Sequence, residues 1–276
     1  MRDIDPQEPE KAEMSFLDHL DQLRMHILRS LLAVAVIAIG VFLAKDFVFN
    51  VVIFGPRNPD FPTYRILCSI SDALCIDPPN FKILTRDLGE QFMIHIKSSF
   101  WLGVILGFPY IFWEIWRFIR PGLYPQEQKA ARGMVLICSL LFTIGVFFGY
   151  FFIAPFAISF LGSYTVGAES TPSLASYVDY LTMLTLPVGL VFELPVVAWF
   201  LSKIGILYPS FLRTYRRHAL VVIVILAAII TPPDVTSQMI LSIPLLALYE
   251  VSIWVSARVH KQREAEWEAE GKDLSS

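Results

Sequence analysis

The sequence predicts an all-α integral membrane protein, on three observations. Of its 276 residues, 55% are apolar and only 17% are charged, whereas soluble globular proteins carry about 25% charged residues. Uninterrupted apolar stretches recur along the chain, and most approach the roughly 20 residues that a helix needs to cross a bilayer. Strand-like alternation is absent, and backbone groups in hydrocarbon must be paired within their own segment, so we expect these stretches to be helices.

The first expected element is an N-terminal helix. Residues 1–13 are polar and charged, lack the apolar core of a signal peptide, and are predicted to form a disordered tail. Leu17, Leu20 and Leu23 follow a suitable N-cap, Ser15, at helical spacing. We expect an amphipathic helix that lies on the membrane surface and runs into the first span. The simpler alternative is a plain extension of that span.

Six transmembrane helices are predicted within a membrane domain of residues 14–258, followed by a charged tail at 259–276. The spans cover about residues 26–48, 92–114, 133–156, 176–201, 218–231 and 238–256. The fifth span is short, because only 12 residues separate His218 from Thr231 and the two prolines that follow end a helix. This hairpin either fails to cross or crosses a locally thinned bilayer, and the basic segments on either side of it favour crossing.

The basic residues predict the orientation. Four segments carry four Lys or Arg residues each: the N-terminal segment through residue 29, the loops at 114–133 and 202–218, and the C-terminal tail. Two of the three other connections have none, and the long first loop, residues 45–97, has six. Because basic residues in short loops favour the cytoplasm and long loops translocate largely regardless of charge, both termini are predicted to be cytoplasmic.

Common catalytic motifs are missing from the sequence. It contains no G-x-x-x-x-G-K-[ST], H-E-x-x-H or G-x-S-x-G pattern. Its five histidines are dispersed near predicted helix ends without the spacing of metal ligands. We therefore expect no enzyme activity, no cofactor, no bound metal and no nucleic-acid partner.

Glu193 lies inside the fourth predicted span, in the stretch V-F-E-L-P-V-V. A carboxyl group there costs on the order of 3 kcal/mol on insertion scales, so such residues face the interior of the bundle or a wet cavity. Pro187 and Pro195 should bend the helix around it. Glu193 is thus a candidate functional group in a cavity, and the alternative is a structural hydrogen-bond partner between helices.

The loop between the second and third spans carries another candidate. Ile119–Lys129 is stiffened by Pro121 and Pro125, and Glu127 is its only acid. A carboxylate in a basic setting can receive an arginine through paired, charge-assisted hydrogen bonds. The alternative is a surface carboxylate paired with a basic neighbour such as Lys129.

Cys68 and Cys75 share the long first loop, which the predicted topology puts on the non-cytoplasmic side. In an oxidising compartment such a pair forms a disulfide that staples the loop. Two free thiols are the alternative.

Five stretches, taken in order and against six spans, carry a specific family resemblance. They are H-L-D-Q-L-R (19–24), I-W-R-F-I-R-P-G-L-Y-P-Q-E (115–127), F-F-G-Y-F-F-I-A-P-F-A-I-S-F-L (147–161), F-E-L-P-V (192–196) and T-P-P-D-V-T-S-Q (231–238). The sequence resembles TatC, the large membrane subunit of the twin-arginine translocase, over about residues 14–258.

The resemblance implies a concave bundle of six helices in the bacterial cytoplasmic membrane. It implies that the cytoplasmic face binds twin-arginine signal peptides, and that the chain assembles with single-span subunits of the TatA or TatB type and with copies of itself. It also implies export of folded proteins driven by the proton-motive force, an energy source that fits the missing nucleotide motif.

The resemblance also implies roles for residues. Glu127 matches the acid that receives the arginines of the signal, in a region that includes Phe118 and Leu123. Glu193 matches an intramembrane carboxyl in the concave cavity, and Pro56 matches a proline of the first outer loop. The positions that match the family's contacts with single-span subunits are Thr231, Asp234 and Gln238.

The chain departs from the family pattern at Gln22. The family's N-terminal motif usually has a glutamate there, which takes part in recognising arginine. An amide oxygen can still accept a hydrogen bond from a guanidinium group, but it supplies no charge. Asp18, four residues earlier on the same helical face, is the candidate to supply the missing charge.

A small-solute secondary transporter that uses Glu193 as its proton site is the alternative function. Such transporters often contain internal repeats with broken helices at corresponding positions. Residues 25–155 and 175–257 show no convincing repeat, which favours the translocase subunit.

Overall fold

The computed structural model describes residues 16–71, 75–79, 81–119, 127–167, 171–231 and 235–273. In this part the chain is almost entirely helical, and β-pairing is limited to one isolated parallel bridge between Leu84 and Ser173. The prediction of an all-α fold is therefore confirmed. The N-terminal tail predicted at 1–13 lies outside the described residues.

Eleven α-helices can be delineated in the described ranges, together with short π and 3₁₀ segments. The helices are α1 Phe16–Leu43, α2 Lys45–Phe47, α3 Pro62–Ile70, α4 Glu90–Ile119, α5 Glu127–Phe148, α6 Ala154–Ser163, α7 Leu174–Val191, α8 Leu194–Lys203, α9 Pro209–Thr214, α10 Arg216–Ile230 and α11 Val235–Asp273. The π-helical segments are Val48–Ile53 and Gly149–Ile153, and Gly55–Arg57 is 3₁₀-helical.

Five helical stretches in the described part are long and apolar enough to cross a membrane. They are Leu20–Leu43, Glu90–Ile119, Gly133–Ser163, Leu174–Lys203 and Ser237–Ala265. Helix α10 has only 15 residues, below the roughly 20 that a full crossing needs, so the sixth span remains a prediction.

The predicted N-terminal helix and first span form the single continuous helix α1. The charged tail continues α11 as helix to Asp273.

Helices α1 and α4 pack antiparallel along their length. His26 contacts Glu114 at one end of the pair, and Phe42 stacks on His95 at the other. Between these contacts, a Cβ atom at Gly103 would lie 3.0 Å from both the Ala38 side chain and the Val34 carbonyl oxygen. Small residues are needed where membrane helices approach this closely. The lack of a side chain at Gly103 therefore allows α1 and α4 to pack closely in this register.

The two ends of the bundle differ in character. We call the end at which α1 begins and α4 ends the basic end, because Arg24, Arg29 and Arg117 lie there. The opposite end is the loop end, formed by residues 44–71, 75–79 and 81–89 and by the starts of α4 and α7. The carboxylate of Glu90 accepts a hydrogen bond from the Ala175 backbone at 2.7 Å and joins these two helix starts.

At the loop end, side-chain hydroxyl groups donate hydrogen bonds to backbone carbonyl groups of the π-helical segments. A π-helix departs from the regular α-helical ladder and leaves carbonyl groups to be paired elsewhere. Tyr150 donates to the Val52 carbonyl at 2.6 Å, and Tyr177 donates to the Ile53 carbonyl at 2.9 Å. Thr63 donates to the Phe151 carbonyl in the other π segment. The predicted polar loop is thus a structured cap on the bundle.

Pro56 lies at the centre of this cap. It is fully buried, and its carbonyl oxygen accepts a hydrogen bond from the Tyr64 hydroxyl at 2.7 Å. Burial raises the pKa of Tyr64 well above its usual range, so this hydroxyl stays protonated as a donor. Cys68 and Cys75 form a disulfide across a separation of seven residues.

Candidate functional site

A buried charge cluster joins α1 to α4 near the basic end. The carboxylate of Glu114 is only 1% exposed and lies 2.5 Å from Nδ1 of His26. Its other oxygen accepts a hydrogen bond from Arg117, one turn further along α4, at 3.2 Å. A buried carboxylate needs such partners because the desolvation of an unpaired charge costs several kcal/mol. Glu114 therefore couples the positions of these two helices.

Phe118 extends this contact toward the end of α4. Its ring lies 6.1 Å from the His26 ring in an edge-on arrangement. Gln22 precedes His26 by one helical turn on the same face of α1, and it is exposed. Because α1 and α4 are antiparallel, Gln22 lies toward the terminal turn of α4, which ends at Ile119.

Those predicted recognition residues that the structure describes lie at this end. Gln22 and Phe118 belong to the adjoining ends of α1 and α4, and Glu127 is the first residue of α5. The side chains of Asp18 and Glu127, and the whole of Leu123, lie outside the described part of the chain.

Glu193 occupies the break between α7 and α8, where the predicted bend lies. Pro195 explains the break, because its ring has no N–H and would clash with the carbonyl of Val191 in a continuous helix. Both carboxyl oxygens of Glu193 are shielded inside the protein. The Cys138 thiol and the Phe142 backbone on α5 lie close to the carboxyl, but no contact to it in the described residues has normal hydrogen-bond geometry.

Two cavities lie elsewhere in the structure, with volumes of about 1010 and 520 Å³, and Glu193 lines neither of them. Its predicted role as a cavity residue therefore remains a prediction. Among the described residues, no cluster of three or more His, Cys, Asp or Glu side chains could hold a metal ion.

The predicted partner-contact residues lie at the junction of α10 and α11. Thr231 is buried, and its hydroxyl donates to the Ala227 carbonyl at 2.8 Å. The amide of Gln238 donates to the Val224 carbonyl at 3.2 Å and so joins α11 to α10. Asp234 lies outside the described residues. Thr231 and Gln238 thus stabilise the hairpin itself.

Sequence reasoning missed Glu114 and His26 as a pair. Glu114 was expected only as the last residue of the second span, and His26 as an interfacial histidine. The signal available in the sequence is an acid preceding Arg117 by three residues in I-F-W-E-I-W-R, a spacing that pairs side chains on a helix. The contact to α1 needs the register of the two helices, which the sequence alone does not supply.

Comparison with known proteins places these features in one family. The family model described as Sec-independent protein translocase protein (TatC) matches residues 18–244. A TatC protein of Blattabacterium from Periplaneta americana is 37% identical over 92% of this chain and 99% of its own length. The TatCy protein of Bacillus subtilis is 32% identical over 96% of each chain.

A solved structure is similar as well. The crystal structure described as "Twin Arginine Translocase Receptor- TatC" superimposes with a TM-score of 0.68 at 31% sequence identity, covering 86% of this chain and 97% of the other. Fold and site together define a multi-pass α-helical membrane protein. Its loop end is structured, and its basic end carries arginines together with the buried Glu114. The chain belongs to the TatC family of Sec-independent protein translocase proteins.

Proposed function

We propose that this protein is the receptor and core subunit of a twin-arginine translocase in the bacterial cytoplasmic membrane. Both termini lie in the cytoplasm, and the basic end faces it, as the distribution of Lys and Arg favours. The protein binds the signal peptide of a folded precursor there. Transport is driven by the proton-motive force, which supplies about 2.3 kcal/mol per charge per 100 mV.

The observation that carries this proposal is the pairing of α1 with α4 through His26 and Glu114. Through this contact Gln22 adjoins the end of α4, close along the chain to the start of α5 at Glu127. Residues separated by about a hundred positions are thereby brought to one end of the bundle. That end is suited to receive a short extended peptide.

Glu127 is proposed as the carboxylate that binds the signal's arginines. A carboxylate binds a guanidinium group through two parallel hydrogen bonds, which a lysine ammonium cannot reproduce. Glu114 is not available for this role, because both of its oxygens already pair with His26 and Arg117 and it is buried. Gln22 and Phe118 would then contribute an amide acceptor and an apolar surface.

Single-span subunits of the TatA or TatB type are proposed to dock against α10, and copies of this chain to associate within the receptor complex. Helix α10 exposes a run of large apolar side chains in the described part of the chain. These exposed residues are Leu220, Val221, Val222, Ile225 and Ile229. In a membrane such a face can receive a partner helix by close packing.

Replacing Glu127 by glutamine tests the receptor assignment. The E127Q variant keeps the size of the side chain but loses its charge, so binding of an Arg-Arg signal peptide should fall at least tenfold, as expected for a charge-assisted bidentate pair. E264Q is the matched control, since Glu264 is an exposed acid on α11 whose partner is His260. Unchanged affinity in E127Q, measured with purified protein and a labelled signal peptide, would contradict the assignment.

A proton-coupled solute transporter is less well supported. Such transporters often contain internal repeats with broken helices at corresponding positions, and residues 25–155 and 175–257 show no convincing repeat.

A further inference from the structure

Two cavities adjoin each other at the loop end, on either side of the π-helical segment Val48–Ile53. The larger has a volume of about 1010 Å³ and lies between α1, α4, α5 and α7. The smaller, of about 520 Å³, lies between the π-helical segment and the start of α4. Asn50 lines both cavities, which makes them neighbours at this segment.

The larger cavity is mostly apolar, with Asn58 and Asp60 among its lining residues. Its walls include Trp101 and Leu102 of α4 together with Ile37 of α1. Phe47 and Leu106 also line it and are 62% and 61% exposed. Because α1, α4, α5 and α7 belong to stretches that can span a bilayer, we place the part of the cavity between these helices at the depth of the hydrocarbon. An open apolar cavity at that depth suits an acyl chain.

The smaller cavity is polar and basic. Lys45 and Arg57 line it together with His95, and Asp46 is the acid among its lining residues. Within the described part of the chain, neither Lys45 nor Arg57 makes an ion pair with Asp46 or with another acid. Counting Lys45, Arg57 and Asp46, the formal charge of this lining is +1, and Asp60 lines the larger cavity instead. This charge complements a single net negative charge.

The smaller cavity also lies at the depth of a lipid headgroup. Lys45 follows α1 at the point where that membrane-spanning helix ends, at Leu43. Basic side chains at such an interface attract anionic lipids, with about 1 kcal/mol for each Lys or Arg. The order of the two cavities, apolar within the bilayer and basic at its edge, matches the order of groups in a phospholipid.

We propose that the paired cavities form a binding site for one anionic phospholipid of the outer leaflet. Its phosphate lies between Lys45 and Arg57, and an acyl chain passes Asn50 into the apolar cavity. The lipid would fill the space between α1 and α5 next to the π-helical segment. This site lies at the end of the bundle opposite the proposed signal-binding end, and its assignment to the outer leaflet rests on the proposed orientation with both termini in the cytoplasm.

Lipid binding to the purified protein tests the site. Phosphatidylglycerol and phosphatidylcholine with identical acyl chains are titrated in neutral detergent, and retained lipid is counted by native mass spectrometry. The double variant K45Q/R57Q should bind phosphatidylglycerol roughly 30-fold more weakly, from two cations at about 1 kcal/mol each. Its binding of phosphatidylcholine should change little.

R65Q/K82Q is the matched control. Arg65 and Lys82 are exposed cations of the same loop, and neither lines either cavity. This variant removes the same charge and should bind both lipids as the unaltered protein does. Equal phosphatidylglycerol affinity in K45Q/R57Q and R65Q/K82Q would overturn the headgroup assignment, as would an equal loss for both lipids.

Gly40→Phe tests the acyl-chain cavity independently. Gly40 lines the larger cavity, and a Cβ atom there would have no neighbour within 4 Å, so the helix can accept the ring. The variant should bind both lipids less well although Lys45 and Arg57 are intact. Unchanged lipid binding in this variant would contradict the proposal. Displacement of phosphatidylglycerol by millimolar glycerol 3-phosphate would show a site for free anions instead and would also overturn it.

Discussion

The proposed recognition of arginine depends on how charge is distributed among a few side chains at the basic end. Gln22 is exposed and carries a neutral amide. Glu114 is charged, but its carboxylate already pairs with His26 and Arg117. We therefore propose that Glu127 supplies most of the charge offered to a signal peptide, with Asp18, four residues before Gln22, as a further contributor.

Replacing Gln22 by glutamate should strengthen binding of an Arg-Arg signal peptide. A new exposed ion pair contributes about 0.2–1 kcal/mol, which corresponds to an affinity gain of roughly one and a half- to fivefold. Q262E is the control, because Gln262 is an exposed amide on α11 and its replacement adds the same charge. Titration with a labelled peptide at low salt measures the effect, and equal gains in both variants would argue for a nonspecific charge effect.

The structural effect of a single residue could be predicted where it depends only on neighbouring positions in the sequence. A carboxyl group and two prolines within one apolar stretch predicted the break at Glu193, because proline disrupts a helix regardless of its neighbours. The partners of Glu114 could not be predicted, since His26 is 88 positions away and reaches it only through helix packing. Whether Glu193 lines a cavity likewise depends on the arrangement of several helices.

At the scale of elements, the pair α1 and α4 supports the recognition site. Gly103 allows the two helices to approach closely along their middle, and the contact between His26 and Glu114 holds their ends in register. Any change that moves α1 away from α4 should therefore shift Gln22 relative to Phe118.

Gly103→Leu should separate these helices. The side chain would press on the backbone of α1, and overpacking of this kind typically costs about 1–3 kcal/mol, so the thermal unfolding midpoint should fall together with signal-peptide affinity. Gly133→Leu provides the comparison, because a Cβ atom at Gly133 on α5 meets nothing within 4 Å. A Gly103→Leu protein as stable as its Gly133→Leu counterpart would refute this account of the packing.

The long apolar helices were predictable because hydrophobic length is a property of each segment alone. The structured cap at the loop end could not be predicted from the sequence. The sequence indicated only a long polar loop, whereas the structure contains α3 and a π-helical segment whose carbonyls pair with Tyr150 and Tyr177. Tyr150 and Tyr177 follow that segment by about a hundred residues in the sequence, so no local sequence pattern predicts their hydrogen bonds to it.

At the scale of the whole molecule, two ends with different chemistry are held apart by membrane-spanning helices. The basic end carries exposed charge and the start of α5. The loop end is capped by buried backbone hydrogen bonds and by the disulfide between Cys68 and Cys75. This division accounts for a receptor that meets its signal on one side of a membrane and delivers the protein to the other.

Site-specific photocrosslinking to a stalled twin-arginine precursor tests the central claim most directly. A photoreactive residue is placed in turn at Gln22 and at Gln128 of the basic end, so that Glu127 stays intact, and at Lys82 of the loop end. We expect adducts from the first two positions that are lost when the signal carries Lys-Lys, and none from Lys82. Adducts from Lys82 alone, or equal adducts with Arg-Arg and Lys-Lys signals, would contradict it.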